Sequence, residues 1–360
     1  MKIGFLLGNL QGNGGIARVV SIIANELCKE HEIHIISFCP AIMPAGYEYD
    51  TRIICEQLLN DRVTMTTAIL KKHIIGKLKK YIHIKQIDIL IGCGELYFPL
   101  AILASAGKIK CYCWEHSDPA GTNDHKHQMF SRKMAVMFGT RIIVLTKAAE
   151  TFYVESLHCK SSKITQIYNP IGGNVAHSIG YNEESKKILS VGRLTYQKNF
   201  QLLIKIASQI LTKYPKWSWD ICGEGEDREE LEKLIKDYNL VNRIVLRGQI
   251  KNLYSEYGNY AFMVMTSRYE GFPMSLIEAE ANRLPLLSFD VPTGPNEIIK
   301  DGENGFLLKQ QDIDGMVLKI QELIENLELR KNMSNIAVQF SEEFTLDKIM
   351  QKWTKLIDVS

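Results

Sequence analysis

Apolar residues in this chain follow two rhythms that take turns along its length. Residues 2–9 form a nearly unbroken apolar run, which predicts a buried strand. Ile16, Val19, Val20, Ile23, Ala24 and Leu27 then recur at helical spacing, and residues 32–38 return to the strand pattern. Further strands are predicted near 87–92, 110–115, 141–146 and 163–168, with helical stretches between most of them. Such alternation makes a parallel sheet covered by helices on both faces. Asn169-Pro170 and Gly172-Gly173 interrupt the pattern, and the polar segment to about Tyr181 reads as a linker. The alternation then restarts, with strands near 187–192, 217–222, 243–247, 261–266, 285–289 and 305–308 and helices such as 199–213 and 227–238. Beyond about Asp312 only helical spacing remains, and Leu346 to Ile357 is amphipathic with Trp353 on its apolar side.

This reads as two doubly wound, Rossmann-like α/β domains: residues 1–172, residues 173–345, and a C-terminal helix at 346–360 that crosses back to the first. A length of 360 residues agrees with two cores. Ligands of such sheets sit beyond the carboxyl ends of the strands, so two facing domains make the cleft between them the expected site. No apolar run reaches the roughly 18 residues of a membrane-spanning helix. Gly8, Asn9 and Gln11 break the first apolar run, which reads as a strand rather than a secretory signal. Eight cysteines are scattered through apolar segments, and Cys111 and Cys113 have no second pair at zinc spacing, so buried thiols in a cytoplasmic, reducing compartment are expected. The net charge of +2 hides an asymmetry: residues 1–180 hold 20 Lys and Arg against 14 Asp and Glu, a net +6, and the remainder is net −4. A basic first half points to an anionic partner on that side.

The chemistry concentrates in the second half. The run Glu270-Gly271-Phe272-Pro273-Met274-Ser275-Leu276-Ile277-Glu278 follows an apolar strand and opens a helix. Gly271 permits an unusual backbone angle, and Pro273 suits a helix start. The amides near Met274, Ser275 and Leu276 then point out of a positively polarised helix terminus, a site for a diphosphate. Glu270 lies at the strand end, and Glu278, one turn into the helix, suits a ribose diol. Strand 187–192 ends in Gly192-Arg193-Leu194, with Gln197-Lys198-Asn199 before the next helix. Arg193 as a fork and Lys198 as a point charge suit two phosphates. Two neighbouring strands end in Gly223-Glu224-Gly225 and in Arg247-Gly248-Gln249-Ile250, loops where backbone can approach a ligand. In the first half, Gly8 to Gly15 forms a glycine loop between the first strand and first helix, and His116 follows Trp114-Glu115 at a strand end.

Taken together, the Glu-x7-Glu run, the Gly-Arg-Leu…Gln-Lys-Asn segment and the Gly-Glu-Gly loop resemble the retaining GT-B glycosyltransferases usually called family 4. The resemblance implies that Arg193 and Lys198 hold the donor diphosphate, that Glu278 binds the ribose and Glu270 the transferred sugar, and that the loop at Gln249 and Ile250 meets the base. It implies that Gly14 and Gly15 let backbone approach the donor phosphates or the acceptor, and that His116 lies beside the donor sugar. Where many members carry a Gly-Gly pair, this chain has Pro292-Thr293-Gly294-Pro295, which is similar to a subgroup working on bacterial surface polysaccharides. The implied reaction moves a hexose or N-acetylhexosamine from a UDP-linked donor to a glycan or lipid-linked acceptor, with no cofactor and no metal.

Asp312-Ile313-Asp314 matches a metal-binding Asp-x-Asp, but its place before an amphipathic helix predicts an N-cap. A nicotinamide-dependent oxidoreductase would need Gly-x-Gly-x-x-Gly and an acid ending the second strand, where Ser37-Phe38-Cys39 stands. A non-catalytic two-domain sugar-nucleotide or solute binder remains the other alternative, separated from a catalyst by turnover. Residues 69–85 hold six lysines and no acid, with Leu70, Ile74, Leu78, Tyr81 and Ile82 at helical spacing. That helix is expected to meet an anionic membrane surface or a lipid-linked pyrophosphate, placing the protein peripherally on the inner face of the plasma membrane. No nucleic-acid partner is expected.

Overall fold

The computed structural model describes residues 1–9, 14–39, 47–59, 68–121, 126–172, 180–250 and 253–358. The chain divides into two compact units, Met1–Pro170 with the C-terminal residues from Asp347, and Ile171–Leu346. Gly173 and most of the predicted linker lie outside the described residues, as do Leu10 to Asn13 of the glycine loop.

Unit 1 is built on strands β1 (Lys2–Asn9), β2 (Glu32–Cys39), β3 (Ile54–Gln57), β4 (Ile89–Cys93), β5 (Lys110–Trp114), β6 (Arg141–Val144) and β7 (Ile164–Gln166). They pair in parallel in the order β3-β2-β1-β4-β5-β6-β7. The apolar runs follow from this: with helices on both faces, Ile3, Phe5 and Leu6 on β1 and Ile89, Leu90 and Ile91 on β4 are fully buried. Helix Gly15–Leu27 buries Val19, Val20, Ile23 and Ala24, the positions that gave it its period. The strand β3 has no counterpart in the apolar pattern. It is a four-residue edge strand with one partner, and Cys55 lies exposed between half-buried neighbours, so it carries no apolar run.

Unit 2 uses β8 (Lys187–Val191), β9 (Ser218–Cys222), β10 (Ile244–Gly248), β11 (Phe262–Met265), β12 (Leu286–Asp290) and β13 (Gly305–Lys309), parallel in the order β10-β9-β8-β11-β12-β13. Its core joins β8 and β9 to helix Phe200–Lys213 through Leu203, Ile204, Ala207, Ile210 and Trp219. Asp312 caps helix Ile313–Glu325, its carboxylate accepting from the Gly315 amide at 2.9 Å. The C-terminal helix Leu346–Asp358 sends Trp353 into unit 1, where its ring meets Trp114 at 4.7 Å and Phe5 at 6.4 Å between centroids. Cys28, Cys55, Cys93, Cys111, Cys113, Cys159 and Cys222 are free thiols.

Candidate functional site

In unit 2 the chain starts with β8, winds outward to β9 and β10, and then returns to place β11 on the other side of β8. Loops leaving β8 and β11 therefore diverge, and the crevice they open is where doubly wound sheets bind ligands. Lys198 lies on the first of these loops and Glu270 on the second. Their ammonium and carboxylate meet at 2.5 Å, with side chains only 16% and 6% exposed.

One arginine, which pattern reading passed over, sews these loops together. The Arg268 amide donates to the Gln197 carbonyl (2.8 Å), and Gln197 Nε2 donates back to the Tyr269 carbonyl (2.9 Å). The Arg268 guanidinium donates to Asn199 Oδ1 (2.7 Å) and the Tyr196 carbonyl (3.2 Å), and it covers the Tyr196 ring at 4.2 Å. Thr266 Oγ1 donates to the Lys198 carbonyl at 3.2 Å. Arg193, in contrast, is exposed, and its side chain has no hydrogen bond or ion pair among the described residues.

The adjacent strand ends close around this pair. Gly192 donates to the Cys222 carbonyl (3.0 Å), Leu194 to that of Glu224 (3.0 Å), and Gly223 to that of Gly248 (2.8 Å). Gly223 has φ +148°, and a Cβ there would fall 1.9 Å from the Gly192 oxygen. Alanine at 223 is therefore expected to cost about 2–5 kcal/mol through strain and overpacking, read as a lower urea midpoint with unchanged slope. Gln249 is exposed and Ile250 half-buried just beyond Gly248.

The turn after β11 departs from expectation in three respects. Gly271 is not among the positive-φ glycines; the left-handed position belongs to Gly294 (φ +97°), whose Cβ would sit 2.6 Å from Pro273 Cδ. Thr293 Oγ1 donates to the Glu270 carbonyl, so the Pro292–Pro295 run braces the turn. Pro273 is the N-cap, and helix Met274–Ala281 follows it. The Leu276 amide is already taken by the Pro273 carbonyl at 3.0 Å. That leaves the Met274 and Ser275 amides, which have no partner among the described residues, to point from the positive helix end. The Phe272 ring belongs to the core against Phe344, at 5.4 Å. Glu278 is 3% exposed and accepts from Tyr257 Oη at 3.1 Å, which fixes its carboxylate.

In unit 1 the order also reverses, between β1 and β4. Gly14 is the N-cap of the first helix and Gly15 faces open space. Tyr97, after β4, packs so tightly on Gly8 that a Cβ there would meet its oxygen at 2.0 Å. His116 lies two residues beyond β5, its ring 4.4 Å from that of Trp114. Its Nε2 is buried without a hydrogen-bond partner. Burial pushes the imidazole down to about 3, against the opposing pull of Glu115, so the ring is neutral at pH 7.

That shift has a sign. Between about pH 6.5 and 3 the unfolded chain holds a proton that the folded chain refuses. Stability is thus complete above about pH 6.5 and falls as acid is added. Urea titrations at pH 7 and pH 5 are expected to show a smaller loss for His116→Asn than for wild type.

The loop carrying His116 is anchored from beneath by a second network that sequence patterns did not reveal. Arg132 Nε donates to Glu115 at 2.8 Å with both side chains fully buried. Tyr153 Oη (2.9 Å) and Ser117 Oγ (2.6 Å) donate to the same carboxylate. Burial alone would raise the Glu115 carboxyl; the Arg132 charge and these hydrogen bonds outweigh it and hold it below the usual range. Glu95 is pushed upward by burial and by the nearby Glu115 charge, and it accepts from Gln128 Nε2 at 2.9 Å.

Comparison with known proteins gives the family and the fold. Residues 175–340 match the family model described as glycosyl transferases group 1, and residues 13–172 match that of Glycosyltransferase Family 4. An "uncharacterized glycosyltransferase" of Haemophilus influenzae is 30% identical over 99% of this chain and 99% of its own. A Campylobacter jejuni alpha-1,4-N-acetyl-D-galactosaminyltransferase, named for a glycan on diphospho-undecaprenol, is 26% identical over 99% of this chain and 98% of its own. Among solved structures, a mutant of Staphylococcus aureus TarM in complex with fondaparinux, alpha-GlcNAc-glycerol and UDP superposes with a TM-score of 0.85 at 17% identity, over 99% of each chain.

Proposed function

The chain belongs to the group 1 and family 4 glycosyltransferases of the GT-B fold, and from that premise we propose that it is a retaining enzyme moving a hexose or N-acetylhexosamine from a UDP-sugar to a lipid-linked glycan in surface polysaccharide synthesis. The observation that carries the donor reading is the Lys198–Glu270 pair at the point where the strand order of unit 2 reverses, beside Arg193 and the Met274 and Ser275 amides, which have no partner among the described residues. As the anomeric bond breaks, charge grows on the leaving diphosphate. Arg193, Lys198 and the two amides are preorganised to hold it. In this reading Glu270 accepts from the sugar hydroxyls, Glu278 from the ribose, and Gln249 and Ile250 border the base. No side chain is assigned as a covalent nucleophile, so the acceptor hydroxyl attacks on the face the diphosphate leaves, and its proton passes to that phosphate. Positive charge comes from side chains and a helix terminus, and no metal is required of the reaction.

UDP in the TarM complex and diphospho-undecaprenol in the name of the Campylobacter relative support the donor and acceptor classes. The lysines of helix Ala68–Lys85 fit the same reading, as the side of the protein that meets the membrane carrying a lipid-linked acceptor. No described helix is long and apolar enough to cross that membrane. A thermal-shift screen of UDP-, GDP- and ADP-sugars tests the donor. Stabilisation by UDP-sugars alone is expected, by about 2.7 kcal/mol at a hundredfold excess over Kd. Selective stabilisation by another base, or by none, contradicts the reading.

A further inference from the structure

Helix 68–85 does not stand alone. Helix Phe98–Ser105 packs against it on one side and against helix Lys126–Phe138 on the other. All three supply one core cluster, through Ile74 and Leu78, Phe98 and Ala101, and Ala135. Their outward faces run against the usual rule that a surface helix turns its large apolar residues inward. Phe130, Met137 and Phe138 on the third helix are 61%, 69% and 60% exposed, with Leu103 on the middle helix and Ile84 on the first also exposed. Phe130 and Met137 lie seven residues apart, on one stripe of their helix, and Lys126 and Lys133 are exposed near them.

The three helices carry no Asp or Glu. Lys72, Lys79 and Lys80 are exposed on the first helix. Gly76, with nothing within 4 Å of where a Cβ would stand, opens a hollow of about 510 Å³ edged by Lys72, His73, Lys77 and Lys80. From residue 68 to residue 138, Asp88 is the exposed carboxylate among the described residues, and it accepts from the Lys2 amide at 2.7 Å. Bulky apolar groups and lysines exposed on helices that carry no acid complement an anionic lipid interface: rings enter the acyl boundary and ammonium groups meet headgroups.

We propose that this three-helix face docks the protein on an anionic lipid bilayer, with Phe130, Met137 and Phe138 entering the acyl boundary and Lys72, Lys79 and Lys80 meeting the headgroups. The proposal deepens the membrane reading given above and extends it from a lysine helix to an inserted apolar wedge; it does not depend on the donor site.

The test uses the full chain and vesicles of three parts phosphatidylethanolamine to one part phosphatidylglycerol. The four native tryptophans, Trp114, Trp217, Trp219 and Trp353, are buried, so a tryptophan placed at position 130 reports that position. Phe130→Trp is expected to shift its emission to the blue on vesicle addition. In co-sedimentation, the combined variant Lys72→Gln, Lys79→Gln, Lys80→Gln is expected to bind about a hundredfold more weakly, roughly fivefold per lysine, and only at low salt. The combined variant Phe130→Ser, Met137→Ser, Phe138→Ser is expected to lose at least about tenfold at low and high salt alike. UDP-sugar thermal shifts should be unchanged in both sets, which shows that they fold; loss of those shifts in wild type would sink the donor reading and leave this one standing. An unshifted emission from Phe130→Trp, wild-type vesicle binding by the serine variant, or a wild-type dimer that the serine variant turns monomeric overturns the proposal.

Discussion

Lys198→Ala is expected to lower kcat about a hundredfold to a thousandfold at saturating donor, the usual effect of deleting one group that stabilises charge on a leaving or attacking oxygen. The same substitution strips Glu270, 6% exposed, of its ion-pair partner, and the folded state should lose about 3 kcal/mol. The two effects separate by measurement. Steady-state kinetics at a temperature where the variant is folded reports the first, and urea denaturation the second. Lys198→Arg keeps the charge and is expected to restore most of the stability. Its fork replaces a point charge, so it restores less of the rate. An unchanged kcat in Lys198→Ala would reduce this lysine to a structural partner of Glu270.

Arg132→Ala is expected to destabilise unit 1 strongly. It leaves Glu115 charged, fully buried and held only by hydroxyl donors and the Ser117 amide. Removing one partner of a buried pair costs about 3–5 kcal/mol. For a unit of this size that is a fall in Tm of roughly 10 °C, visible by calorimetry. Replacing both charges, as Arg132→Met with Glu115→Leu, is expected to recover much of the loss, because the desolvation of both ions is then avoided. If Arg132→Ala melts like wild type, the pair is not what anchors the loop beneath His116.

The difference between what the chain's pattern revealed and what it concealed has a physical basis. Buried parallel strands announce themselves because both faces are covered, so β1, β4 and β11 read as apolar runs. Helix 346–358 was legible through the spacing of Ile349, Trp353, Leu356 and Ile357, all buried. The edge strand β3 has one partner and a polar sequence, and nothing in its four residues marks it. At the site, Arg193, Lys198 and Glu270 stood out as charged residues gathered near strand ends, and Glu278 through its spacing from Glu270 on the helix that follows. Arg268 did not, since its work is done through loop carbonyls and an Asn199 side chain distant in sequence. Arg132 was hidden for a related reason: an arginine beside Ser131 and Lys133 looks like a solvated one until Glu115 is placed beneath it. The freedom that Gly271 permits is used instead at Gly294, more than twenty residues later, because the turn is shaped by a loop that packs on it.

The central claim is that the rim of unit 2 grips two linked phosphates. Arg193 is the cleanest place to test it, being exposed and without a side-chain partner among the described residues, so its loss leaves the fold alone. Titrating UDP calorimetrically into wild type and Arg193→Gln is the direct measurement. The account predicts measurable UDP binding by wild type and about a tenfold to hundredfold higher Kd in the variant, the worth of a charge-assisted hydrogen bond. Equal affinity for UDP in the two proteins, or no binding by either, would contradict it.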